Sequence, residues 1–154
     1  METKLISGLR EVQSKYDAFF IDLWGVVHNG IKLNPGAMEV LNNLYKINKR
    51  FVFMSNAPRP AKNVKKFLFK LNMKKKLAKN IFTSGEASIK SLKKKTYGKK
   101  FYHLGPERDR SLFEGFEKNE TKLQNADFIL CTGFLETNKD SLNKYKLLLK
   151  KYTH

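Results

Sequence analysis

Two side chains with the chemistry for phosphoryl transfer stand at the ends of short apolar runs, about thirty residues apart. Asp22 ends the first run, Ala18-Phe19-Phe20-Ile21, and Ser55, followed by Asn56, ends the second, Phe51-Val52-Phe53-Met54. A carboxylate held at the mouth of a buried strand can attack phosphorus in line and can serve as a hard oxygen ligand for Mg2+. Ser55 and the backbone amides around Asn56 are neutral donors that could hydrogen-bond a transferring phosphoryl group where negative charge gathers. Taken singly, Asp22 reads as a strand end and Ser55 as a turn cap. Their pairing at two strand ends makes them a candidate site.

Such a pair needs a scaffold that brings two strand ends together, and the chain is patterned for one. Leu5, Ile6, Leu9, Val12 and Tyr16 predict a first amphipathic helix ahead of the Asp22 strand. Gly25, Gly30 and Asn34-Pro35-Gly36 bracket a loop, and Pro35 opens a helix through Ala37, Val40, Leu41 and Leu44 that ends near Lys49-Arg50. After the Ser55 strand, Ala57-Pro58-Arg59-Pro60 is a loop leading into a lysine-rich helix over 61–73. Asn80 to Ser84 reads as a strand and turn, with Ser84 as N-cap of a helix over 85–95. Further strands are expected at Lys100–Leu104 and Ala126–Thr132, and further helices at Arg108–Phe116 and Ser141–Tyr152. The last of these turns Leu142, Tyr145, Leu148, Leu149 and Tyr152 inward. Strands and helices alternating at this spacing imply βαβ units, right-handed crossovers and a largely parallel sheet, whose ligands sit outside the carboxyl ends of the strands.

The 154 residues hold 31 Lys and Arg against 14 Asp and Glu, for a net charge of +17. The excess is local: +3 over 1–60, +13 over 61–100 and +1 over 101–154. Val64, Phe67, Leu68 and Leu71 follow helical spacing, which puts Lys62, Lys65, Lys66 and Lys70 on the solvated face. Of the basic residues 26 are Lys and 5 Arg, and base and phosphate recognition leans on the bidentate guanidinium. The block is therefore read first as a solvated helix face. A nucleic-acid or other polyanion-binding module through 61–100 is the alternative from a different class. The lone Cys131 excludes a disulfide framework and any CxxC motif, makes a reducing cytoplasmic setting the default, and is expected buried in its strand. No apolar run is long enough to span a bilayer, so no membrane is expected among the partners. His28, His103 and His154 show no metal-ligand spacing.

Phe20-Ile21-Asp22-Leu23-Trp24-Gly25-Val26-Val27-His28-Asn29-Gly30, the Pro35-Gly36 helix, Phe51 to Asn56, and Thr83-Ser84-Gly85 leading a helix resemble the haloacid dehalogenase superfamily, specifically its class IIA, NagD-like subfamily. The resemblance implies an α/β fold: a Rossmann-like core with a parallel sheet, here incomplete, over 1–98, and part of an inserted α/β cap over 99–154. It also implies phosphate-ester hydrolysis through an aspartyl-phosphate on Asp22, with Ser55 and Asn56 holding the phosphate. Mg2+ would be bound by Asp22 and the backbone carbonyl of Trp24, and the substrate would be a small phosphorylated metabolite. It leaves room for a homo-oligomer through the cap.

Two departures bear on that expectation. In phosphatases of this superfamily the residue two after the nucleophile is a second Asp serving as general acid and base. Trp24 cannot do this, and losing such a group costs about 10²–10⁴-fold in rate. Three readings stay open: weak activity or a substitute group, with His28 as the nearest titratable side chain; a different chemistry; or ligand binding without turnover. A motif of the type Asp-x-Trp-Gly-Val marks a subgroup of NagD-like relatives. The second departure is at the end of the chain. The superfamily's motif III Lys and motif IV acidic pair have no counterpart after Gly133, where Glu136, Asp140 and a lysine-rich helix stand. The sequence is thus expected to be the N-terminal part of a larger capped hydrolase and, by itself, inactive.

Overall fold

The computed structural model describes residues 5–135 and 141–151. Glu136, Asp140, Tyr152 and His154 lie outside the described residues. The chain divides into two compact units, 1–87 and 88–154. Both are α/β with parallel strand pairing.

In the first unit β1 (Ala18–Asp22), β2 (Arg50–Ser55) and β3 (Ile81–Thr83) form a parallel sheet in the order β1-β2-β3. Strand alternation sorts its residues by face. Phe53 is fully buried, with Ile21 and Ile81 beside it in register and packed on the core. The next row, Asp22, Met54 and Phe82, is also in register and faces the other way, exposed. Phe20, on Asp22's face of β1, is 76% exposed.

Helix α1 (Pro35–Lys46) covers the core face with Leu41 and Leu44, and α2 (Ala61–Lys70) with Val64 and Leu68. The α1 start is as the sequence predicts: Pro35 is in the first turn and the Asn34 side chain accepts the Gly36 N–H at 3.0 Å. Its end comes earlier than expected. Asn48 takes φ 57, and the Lys49 N–H donates to the Leu44 carbonyl at 2.9 Å, closing the helix with a left-handed cap. Asn72, at φ 67 with Met73 N–H donating to Leu68 O at 3.0 Å, ends α2 in the same way. On α2, Lys62, Lys66 and Lys70 are exposed and Lys65 is half-buried, in accord with a solvated face.

The amphipathic helix expected over residues 5–16 is instead two 3₁₀ turns, Leu9–Glu11 and Gln13–Lys15. Gly8 is extended just before them, and the Glu11 carboxylate takes the Ser7 N–H at 2.8 Å, so the helical ladder is never started.

Helix α3 (Ser84–Lys94) begins in the first unit and corrects a second expectation: its cap is Thr83, not Ser84. Thr83 Oγ1 accepts the Glu86 N–H at 2.9 Å and donates to the Arg59 carbonyl at 2.6 Å. The Ser84 hydroxyl instead donates to the carbonyls of Asn56 and Ala57, at 2.8 and 3.0 Å. The loop after β2 is therefore bonded down onto the start of α3. Gly85 permits this approach, because a Cβ there would lie 2.5 Å from the Arg59 backbone.

In the second unit β4 (Phe101–Leu104) and β5 (Phe128–Cys131) pair in parallel. Phe101, Leu112 and Phe113 form the core, with Phe128, Leu130, Ile89 and Leu92 against it. The helix expected over 108–116 is a 3₁₀ run, Glu107–Phe113, in which Asp109 is buried and Arg110 pairs with Glu120. Cys131, expected buried, is exposed at the end of β5. Along α4 (Leu142–Lys151) only part of the expected inward face is inside: Tyr145 is buried and Leu148 half-buried, while Leu142 and Leu149 are exposed. The Tyr145 hydroxyl anchors the helix by accepting the Leu135 N–H at 2.7 Å.

Thr83→Val removes the one hydroxyl that serves both the Arg59 carbonyl and the Glu86 N–H. We expect a loss of about 1–3 kcal/mol, read as a lower urea midpoint at unchanged m-value, with Thr83→Ser recovering much of it.

Candidate functional site

The carboxyl ends of β1, β2 and β3 open onto a cleft of about 610 Å³ lined by Asp22, Trp24, Met54, Ser55, Asn56, Phe82 and Ser84. Four residues singled out in the sequence, Asp22, Trp24, Ser55 and Asn56, meet there. The parallel register brings them together, since Asp22 lies opposite Met54, one residue before Ser55. Ser84 was readable only as a helix cap. As the residue just beyond the third apolar run, it stands where the strand-end rule would have looked for a further site residue.

The donors and acceptors at the cleft are largely preset. One Asp22 oxygen, Oδ1, accepts the Leu23 N–H at 2.8 Å, which orients the carboxylate. Ser55 Oγ accepts the Ala57 N–H at 3.2 Å and keeps its own proton to donate. The Asn56 carbonyl is engaged by Ser84.

After β1 the chain folds back in a tight loop. Leu23 and Val27 point into the core, and the Leu23 carbonyl accepts the N–H groups of Val27 and His28 at 2.9 and 3.0 Å. Gly25, at φ 77, donates its N–H to the His28 carbonyl at 2.9 Å, a turn that suits glycine. This leaves Trp24 64% exposed at the cleft, yet not loose. Its ring meets the His28 ring edge-on, centroids 5.7 Å apart at 89°. Its far edge lies over Gly30, where a Cβ would sit 2.9 Å from the indole carbons Cη2 and Cζ3.

His28 does not line the Asp22 cleft. It borders a separate recess with Gly25, Asn29, Lys32, Leu33, Asn34 and Pro35, and its ring packs between Trp24 and Phe67 of α2. Its Nδ1 accepts the Gly30 N–H at 3.0 Å, which fixes the ring proton on Nε2. Burial holds the imidazole below its ordinary value of 6.5, opposed by the Asp22 carboxylate. The ring thus braces Trp24.

No group of three or more His, Cys, Asp or Glu able to hold a metal occurs among the described residues. The Asp22 carboxylate and the Ser55 and Ser84 hydroxyls that line the cleft are hard oxygens. They fit an ion that keeps waters and shares phosphoryl oxygens, as Mg2+ does. No helix among the described residues is long and apolar enough to cross a membrane.

Two outcomes follow from the braced loop. Gly30→Ala, with φ 89 and no room for a methyl beside the indole, should shift the Trp24 emission and cost about 1–2 kcal/mol in urea unfolding. His28 binds its proton less readily folded than unfolded, so its contribution to stability is complete above pH 6.5 and declines as pH falls below that value. His103, also lowered mainly by burial, acts in the same direction. Unfolding free energy measured from pH 7.5 to 5 should therefore fall, and His28→Gln should reduce the slope.

The family of haloacid dehalogenase-like hydrolases matches residues 19–118. No curated protein matches the chain. Among solved structures, a haloacid dehalogenase-like hydrolase from Brucella suis 1330 superposes with a TM-score of 0.82 at 26% identity, covering 96% of this chain and 56% of that one. A 4-nitrophenylphosphatase from Thermotoga maritima gives 0.65 at 27% identity, covering 92% and 54%. A glycerol phosphate phosphatase from Mycobacterium tuberculosis, solved in complex with magnesium, gives 0.61 at 20% identity, covering 92% and 43%, a likeness of fold alone. The chain spans about half the length of these structures. With the match extending from β1 across the Asp22 and Ser55 strand ends into the second unit, the chain belongs to the haloacid dehalogenase-like hydrolase family.

Proposed function

We propose that the protein hydrolyses a small phosphorylated metabolite, with Asp22 as nucleophile. The observation that carries this reading is the convergence of Asp22, Ser55 and Asn56 on one cleft at the carboxyl ends of parallel strands. An Asp22 oxygen attacks phosphorus and the ester oxygen leaves with its electron pair. Water then cleaves the aspartyl-phosphate, releasing inorganic phosphate and restoring the carboxylate. The Ser55 hydroxyl and an Asn56 donor hydrogen-bond the phosphoryl oxygens as charge shifts onto them. Asp22 and the Trp24 carbonyl would hold Mg2+, which supplies neutralisation of phosphoryl charge when bound. The 4-nitrophenylphosphatase and the magnesium-bound glycerol phosphate phosphatase among the similar structures support this choice of reaction and ion.

Asp22-Leu23-Trp24-Gly25-Val26 supports a place in the NagD-like branch. His28 is then a support for Trp24 rather than an acid or base, since its Nδ1 is already engaged and its ring lines another recess. The lysine face of α2 enters this reading as solvated surface.

Phosphate release from 4-nitrophenyl phosphate with Mg2+ by the protein of the full reading frame tests the proposal. Asp22→Asn should abolish release and Ser55→Ala should lower it by about 10²–10³-fold. Release that is unchanged in Asp22→Asn would overturn the assignment.

A further inference from the structure

We infer that Trp24 determines specificity in this cleft: its indole stacks on a planar aromatic group of the substrate, so the site takes phosphate esters of aromatic hydroxyls. The inference rests on the hydrolase reading above and narrows its substrate class.

The cleft has two characters. Asp22, Ser55, Asn56 and Ser84 are its polar lining, and Trp24, Met54 and Phe82 are its apolar lining. Met54 and Phe82 are Asp22's neighbours across the sheet, so the apolar surface begins beside the nucleophile. An indole that is 64% exposed is ordinarily a mobile surface group, but Gly30 and His28 fix this one in place. A ring held rigid before binding loses little freedom when an aromatic ligand stacks on it.

The titratable groups point the same way. Among the described residues lining the cleft, Asp22 is the sole side chain that ionises as an acid, and it is spent as the nucleophile. His28 borders a different recess, with Nδ1 accepting from Gly30. Among the described residues of this chain, no other side chain lining the cleft is an acid that could protonate the departing oxygen. When Asp22 Oδ forms its bond to phosphorus and the P–O ester bond breaks, the electron pair leaves on the ester oxygen as an anion, which takes its proton from water. A phenol-type oxygen, with a pKa of about 10, tolerates this far better than an alkoxide, whose conjugate acid is a far weaker acid. A water then attacks the aspartyl-phosphate, its proton passes to solvent, and phosphate and the Asp22 carboxylate are released.

Trp24 is the single tryptophan of the chain, so its emission reports on the cleft directly. Titration with phenylphosphonate and with methylphosphonate, neither of which has an ester bond to cleave, separates stacking from phosphate binding. We expect a saturable change in Trp24 emission and about tenfold tighter binding of the phenyl compound. Calorimetry on Trp24→Ala should show that preference gone with methylphosphonate binding retained, and Trp24→Phe should keep most of it. In turnover by the protein of the full reading frame, phenyl phosphate should be cleaved faster than glycerol phosphate, and rates should rise steeply as the phenol's pKa falls. Equal binding of the two phosphonates by the unsubstituted chain, or equal turnover of aryl and alkyl esters, overturns the inference. Asp22-dependent release of phosphate from both esters would then leave the hydrolase reading standing. Release from no ester by the protein of the full reading frame overturns both.

Discussion

The register of β1 against β2 is the constraint from which the site follows. Asp22 is set opposite Met54 and Met54 opposite Phe82, while one residue back Ile21, Phe53 and Ile81 form a parallel row against the core. Because side chains alternate strictly along a strand, a slip of one residue would turn Asp22 inward and drive Phe53 out. Burial of Phe53, Leu41, Leu44 and Leu68 therefore fixes the position of the carboxylate as firmly as it fixes the fold. The site and the core are two faces of one pairing.

Around that row the remaining parts are held by short polar links rather than by bulk. The loop after Ser55 is pinned by two hydroxyls, Thr83 on the Arg59 carbonyl and Ser84 on those of Asn56 and Ala57, over a glycine that leaves room for the contact. The loop after Asp22 is pinned by backbone bonds to Leu23 and by the Trp24, His28 and Gly30 contacts. In both, side chains hold the loop in place, Thr83 and Ser84 in one and His28 in the other. Burial lowers the proton affinity of His28 and its Nδ1 accepts from Gly30, which suits a brace for Trp24. Such preset geometry favours phosphoryl transfer, where positioning and electrostatics supply most of the catalysis.

Much of this is written in the order of residues. Apolar runs ending in Asp22 and Ser55, a proline-led helix after Asn34 and the βα alternation are local patterns, and strand and helix periodicity reports them directly. The resemblance carried by Asp22 to Gly30 and Phe51 to Asn56 led to the family. Local patterning failed where a tertiary partner decides the outcome. Residues 5–16 have helical spacing, but Gly8 and the Glu11 carboxylate break the ladder. Cys131 and Leu142 look internal by their apolar neighbours and are exposed, because burial depends on what packs against an element.

The sequence by itself therefore determined the strands and most of the helices, the nucleophile candidate and the locality of the charge, since each is set by residues a few positions apart. Only the tertiary structure decided that Ser84, Met54 and Phe82 join Asp22 at one cleft, that Thr83 caps α3, and that His28 borders a separate recess while Trp24 stands fixed above Gly30. Those outcomes depend on strand register and on contacts between residues tens of positions apart, and periodicity along the chain holds no record of them.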